Sequence, residues 1–181
     1  MKLKLILLGF FAIAGLGIIF SQSQNNTKPL AEQSIQTNSQ WQTYVEPNIY
    51  SIQYPPNWIV ERSRRELVMI MSQPPVQNGT GKFPHDLIKT DIRIEPSSFE
   101  SLANQISNPE MEQITCKEQR TINGREALTL WISDRFGANS VVTLIRYQPN
   151  ETIYIASFYT ADNTTAPQII QNIHGSLRVS E

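Results

Sequence analysis

The stretch NSVVTLIRYQPNETIYIASFYT, residues 139–160, alternates with the period of two that marks extended chain, yet both alternating sets are apolar. Ile153 and Ile155 lie opposite Tyr154, Ala156 and Phe158, and in the run before it Leu128, Leu130 and Ile132 lie opposite Ala127 and Trp131. A strand with one wet face has polar residues on that face, so these strands belong to a sheet covered on both sides, at least in part. Pro149-Asn150 reverses the chain, and Asn123-Gly124, both tolerant of positive φ, is a strong two-residue hairpin signal. The region after Pro109 is therefore predicted as a meander of four antiparallel strands near 112–122, 125–133, 139–148 and 152–160.

Two segments change period. In SSFESLANQIS, residues 97–107, Phe99, Leu102, Ala103 and Ile106 fall at i, i+3, i+4 and i+7, and Ser97 with Glu100 forms a capping box, predicting a helix from about Ser98. A second helix is predicted over 166–174, with Pro167 in its first turn, Ile169, Ile170 and Ile173 on one side and Gly175 as its C-terminal cap. The fold class is thus α+β, an antiparallel sheet sandwiched between helices. Upstream, YSIQYPPNWIV, residues 50–60, reads as strand, turn, strand: Tyr50, Ile52 and Tyr54 share one face, Pro55 and Pro56 end pairing, and Trp58 is expected to pack under the sheet. LVMIM, 67–71, suits a strand covered on both faces, and TDIRIEP, 90–96, a strand with one wet face.

The N-terminus sets Lys2 and Lys4 before an uncharged, mostly apolar run from Leu5 to Phe20. This is an export signal; the run approaches the roughly 20 residues that span a bilayer, so residues 1–23 read as a cleaved signal peptide or a retained membrane anchor. Residues 24–40 are a polar linker, and the folded domain spans 41–181, outside the cytoplasm in either case. A formal charge of -1 with 17% charged residues excludes the strong basic bias of a nucleic-acid binder. The single cysteine, Cys116, cannot form an intramolecular disulfide; sharing a predicted strand face with Ile114, it is expected to pack in the core.

The order of these features resembles the PsbP family. The matching stretches are the early YSIQYPPNW, the TINGREAL hairpin, the long VVTLIRYQPNETIYIASFYT hairpin and a last helix running into IHGSLRV, together covering 41–179. The resemblance implies a non-enzymatic extrinsic protein of the thylakoid lumen, associated with photosystem II and its oxygen-evolving complex, or a relative that serves assembly; calcium binding is implied for the family only. The chain lacks the lipidated cysteine of the cyanobacterial lipoproteins, which implies a paralogue.

No motif supplies chemistry: G-x-S-x-G and a complete phosphate-binding loop are missing, and Glu110 and Glu112 read as a solvated edge. His85, Asp86 and Asp91 lie close in sequence, but His85 and His174 share no ligand spacing, and a charged His174 at a helix C-terminus has an ordinary electrostatic reading. No catalytic, cofactor or metal residue is therefore assigned. The one candidate contact surface is the cluster Arg62, Arg64 and Arg65, suited to an acidic protein surface or lipid headgroups. The expected partner is a membrane protein complex or membrane surface; the alternative is a periplasmic small-ligand or envelope stress protein with a cleft between the sheet and the 74–84 loop.

Overall fold

A computed structural model describes residues 41–63, 67–74, 84–108, 113–133 and 138–180, all within one compact unit, Asn38–Glu181. The strands are β1 (Gln42–Glu46), β2 (Tyr50–Tyr54), β3 (Ile59–Arg62), β4 (Val68–Met71), β5 (Lys89–Glu95), β6 (Ile114–Ile122), β7 (Arg125–Ser133), β8 (Ala138–Gln148), β9 (Glu151–Thr160) and β10 (Arg178–Val179); helix α1 (Phe99–Ile106) follows β5 and α2 (Ala166–Gly175) follows β9. Seven strands form one antiparallel sheet in the order β3-β4-β5-β9-β8-β7-β6, and β1-β2-β10 form a second, smaller sheet. Among the described residues the chain is thus α+β, mostly antiparallel sheet with two helices.

The meander appears where the alternation placed it, and its tightest turn has the predicted chemistry: Asn123 and Gly124 take φ of 47° and 81°, joining β6 to β7. The opening stretch divides between sheets. Tyr50 and Ile52 of β2 are buried, but Pro55 to Trp58 carry the chain from the small sheet to the large one, so strand and strand are not neighbours. β1 and β10, too short and polar to show in the pattern, flank β2 and complete that small sheet.

Each face of the seven-stranded sheet has its own cover. On one side Phe99 and Leu102 of α1 pack on Leu128, Leu130, Ile132, Val142, Leu144 and Ala156. On the other, Ile173, Leu177, Tyr50 and Ile52 pack on Ile92, Ala127, Ile145, Ile153 and Ile155, while Ile170 packs with Val141 and Tyr159. The small sheet thus shares the second face with α2, a layer the helical pattern alone did not announce. Trp58 is half-buried between these two clusters rather than fully enclosed.

Both helix ends differ by one position from expectation. The N-cap of α1 is Ser98, whose hydroxyl accepts from Ser101 N–H at 3.3 Å, while the carbonyl of Ser97 accepts from Thr152. Gly175 lies inside α2, and Ser176, in ordinary right-handed conformation, is the cap; its hydroxyl donates to the Ile173 carbonyl at 2.7 Å, so no left-handed glycine is needed.

Candidate functional site

The face under α2 holds a chain of polar groups inside an otherwise apolar layer. His174 Nδ1 lies 2.8 Å from Thr143 Oγ1 and His174 Nε2 lies 2.8 Å from Ser157 Oγ. Thr143 continues to Thr129 at 3.0 Å and Ser157 to Thr90 at 2.7 Å, so five buried side chains link β7, β8, α2, β9 and β5. Burial, with the nearby Arg120 charge, pushes the His174 imidazole down to about 3. The residue is neutral, which corrects the expectation of a charged histidine at a helix end: its ring turns inward, where desolvation exceeds the dipole's favour. Ser157 and His174 share the spacing of a nucleophile and base, but every ring nitrogen and hydroxyl has a partner and, among the described residues, no carboxylate joins them. The arrangement rigidifies the core.

Among the described residues the face under α1 is only partly covered. An eight-residue helix is roughly 12 Å long, against about 4.8 Å for each of seven strands, so it cannot shade the whole sheet. A groove of about 230 Å³ remains between α1 and the β6–β7 edge, with Phe99, Ala103 and Leu128 forming its apolar part and Glu100, Lys117, Gln119 and Glu126 among its polar lining. Arg146 ties one wall together: its guanidinium bonds Glu126 at 2.8 Å, bonds Glu100 as well, and lies 4.8 Å from the Phe99 ring centroid. These contacts hold the Glu100 carboxyl below its usual range. Lys117 is fixed by a 3.0 Å bond to Ser107. Sequence reading missed this site; its one visible signal was polar Glu126 in the same alternating set as Leu128 and Leu130.

Of the three candidate arginines, Arg64 and Arg65 lie outside the described residues. Arg62 pairs with Glu46 at 2.9 Å, and Tyr44 donates to the other Glu46 oxygen at 2.7 Å. Partial burial and this carboxylate push the Tyr44 phenol up to about 12. Glu46, Arg62 and Arg93 border a small pocket of about 70 Å³ beside Tyr50. Arg62 thus joins the two sheets at their rim with its charge already matched.

His85 is exposed, bonded through Nδ1 to Asp86 at 2.9 Å and through Nε2 to Asp162, two carboxylates that raise its pKa. Its nitrogens face opposite partners, so they do not converge on one ion. Asp91 pairs with Lys89 at 2.9 Å, away from that cluster. Among the described residues no group of three His, Cys, Asp or Glu side chains is arranged to hold a metal. Glu110 and Glu112 lie outside the described residues, as does most of the 74–84 loop.

Cys116 is exposed, contrary to the expected core position. A β-bulge explains it: Ile114 pairs with Ile132 but Cys116 pairs with Trp131, so Thr115 is an extra residue and reverses the alternation. Cys116 therefore faces away from Ile114, exposed on the edge strand of the sheet.

No family model and no curated protein matches the chain. Solved structures of similar fold include cyanobacterial PsbP (CyanoP) from Synechocystis sp. PCC 6803, with 12% identity, coverage of 77% of this chain and 92% of that one, and a TM-score of 0.47. LpqN of Mycobacterium tuberculosis, described as involved in cell envelope biogenesis, has 16% identity, coverage of 78% and 91%, and a TM-score of 0.49. A Pseudomonas aeruginosa protein of unknown function has 15% identity, coverage of 72% and 92%, and a TM-score of 0.45. At these identities the similarity is one of fold alone.

Proposed function

We propose that the protein is a non-catalytic, extracytoplasmic binding or assembly factor of PsbP-like architecture, its sheet held between helical layers, docking on a membrane protein complex. Photosystem II on the lumenal side is the partner implied by the YSIQYPPNW and hairpin resemblance, and the export signal supports a site beyond the membrane. The observation that carries the reading is the α1 groove. Its volume of about 230 Å³ falls below the roughly 300 Å³ at which small-molecule pockets begin, while an apolar patch inside a ring of fixed charges suits an inserted side chain of a protein partner. The imidazole–hydroxyl pair that would suggest chemistry is sealed in the core.

Blue-native separation of membranes from the source organism tests this. The protein is expected to migrate with a large complex, and Asn104→Arg, which places a bulky cation in the groove from an exposed helix position, is expected to release it while leaving the melting temperature unchanged. Migration only as free protein under every growth condition would sink the proposal.

A further inference from the structure

The two edges of the large sheet are built differently. β3 is four residues long, and its last residue, Arg62, is tied to Glu46 of the neighbouring sheet. β6 is nine residues long, and among the described residues no strand pairs with its outer side. A long open strand is a template for another strand, and natural proteins normally blunt it.

The hairpin geometry shows which main-chain groups are open. Because Asn123-Gly124 is a two-residue turn, Ile122 and Arg125 are the hydrogen-bonded pair that closes it. The alternation continues along β7 as far as Ser133, whose N–H donates to the Gln113 carbonyl at 3.0 Å. Ile122, Arg120 and Glu118 therefore spend their main-chain groups on β7, and Thr121, Gln119 and Lys117 direct theirs outward. The side chains of those three outward residues are exposed, and the bulge at Thr115 limits the regular edge to the segment from Cys116.

We infer that this edge pairs with β6 of a second copy of the same chain, antiparallel, with a two-fold axis at Gln119. Only axes at residues 118, 119 or 120 pair more than one outward residue of each strand; an axis at 117 or 121 pairs one. The axis at 118 sets Glu118 against Glu118 of the partner subunit, and the axis at 120 sets Arg120 against Arg120 of the partner subunit; like charges directly opposite are unfavourable. The axis at Gln119 sets each Glu118 against Arg120 of the partner subunit and each Lys117 against Thr121 of the partner subunit. It also pairs all the outward main-chain groups of Lys117, Gln119 and Thr121. Within one chain Arg120 already bonds Glu118, so two copies would close a ring of alternating charges. The charges that deter a random strand on this edge leave one self-pairing register. This inference does not rest on the proposed function, although Lys117 and Gln119 also line the α1 groove.

Sedimentation equilibrium of the full chain in density-matched detergent tests it. The parent is expected to pass from monomer to dimer as concentration rises. Glu118→Arg and Arg120→Glu, each turning two attractive pairs into repulsive ones, are expected to weaken the dimer roughly tenfold, and the two combined to restore it. Gln119→Pro, which removes only an outward N–H, is expected to abolish the dimer; thermal melts of every variant monitor the fold. A monomer at all concentrations overturns the inference. So does a dimer unaffected by either single reversal, or a combined variant that stays weak.

Discussion

The two faces of the large sheet are both apolar in sequence, yet they bury their polar groups in opposite ways. Under α2 the buried polar side chains are uncharged and closed on one another: Thr129, Thr143, His174, Ser157 and Thr90 bond each to the next. Under α1 they are charged and lie over aromatic rings at the rim, Arg146 on Phe99 and Arg93 on Tyr154 at 4.3 Å. The first face is fixed by burial, where an unpaired group is expensive; the second keeps these two arginines at the water boundary, where exchange with a partner costs little. Binding surfaces are expected on the second.

Truncations should separate the faces most strongly. Ile155→Ala, at a fully buried position under the small sheet and α2, is expected to cost about 3 to 4 kcal/mol in urea unfolding. Ile106→Ala, half-buried at the end of α1, is expected to cost about 1 kcal/mol. Equal losses would break the distinction. Trp58→Ala is expected to fall between them, about 2 kcal/mol, because part of the indole already meets water.

His174 gives the closed face a pH signature. Its folded pKa is about 3, below the unfolded value, so between those values the unfolded chain binds the extra proton. Its contribution is fully present above about pH 6.5 and declines by up to about 1.4 kcal/mol per unit as pH falls towards 3. His174→Gln should flatten that part of the profile. His85 works in the other sense, since its raised folded pKa favours the native state at low pH, but its exposure keeps the effect small. Subtracting the profile of His174→Gln from that of the parent isolates the buried group; a zero difference would mean that the imidazole is hydrated.

Much of the fold was legible because alternation and helical period are local. The four strands of the meander, α1 and α2 lie where their apolar spacing put them, to within two residues or so. What was illegible depends on distant partners. β10 is two residues long and exists only because β2 passes beside it, and β1 is a strand because β2 lies on its inner side. The inward turn of His174 needs Thr143 and Ser157, which lie 31 and 17 residues earlier in the chain. The groove likewise depends on how little of the sheet an eight-residue helix can cover. Arg62 likewise has a partner that no local pattern announces, Glu46 from another strand, while Arg64 and Arg65 lie outside the described residues.

The smallest expected effect concerns Cys116, which the alternation assigned to the core and the bulge turned outward. With the thiol turned outward, a thiol-specific reagent is expected to label the folded chain to one equivalent without denaturant, as it does the unfolded chain. Labelling should be slow at neutral pH, because partial desolvation and the nearby Glu118 carboxylate raise the thiol's pKa and hold down the thiolate fraction. Cys116→Ser should leave the melting temperature unchanged within error, since neither side chain fills a cavity at an exposed edge. A thiol that reacts only after unfolding would place Cys116 beside Ile114 on the α1 face. The bulge at Thr115 would then be absent, and with it the reversal that separates the two sides of β6.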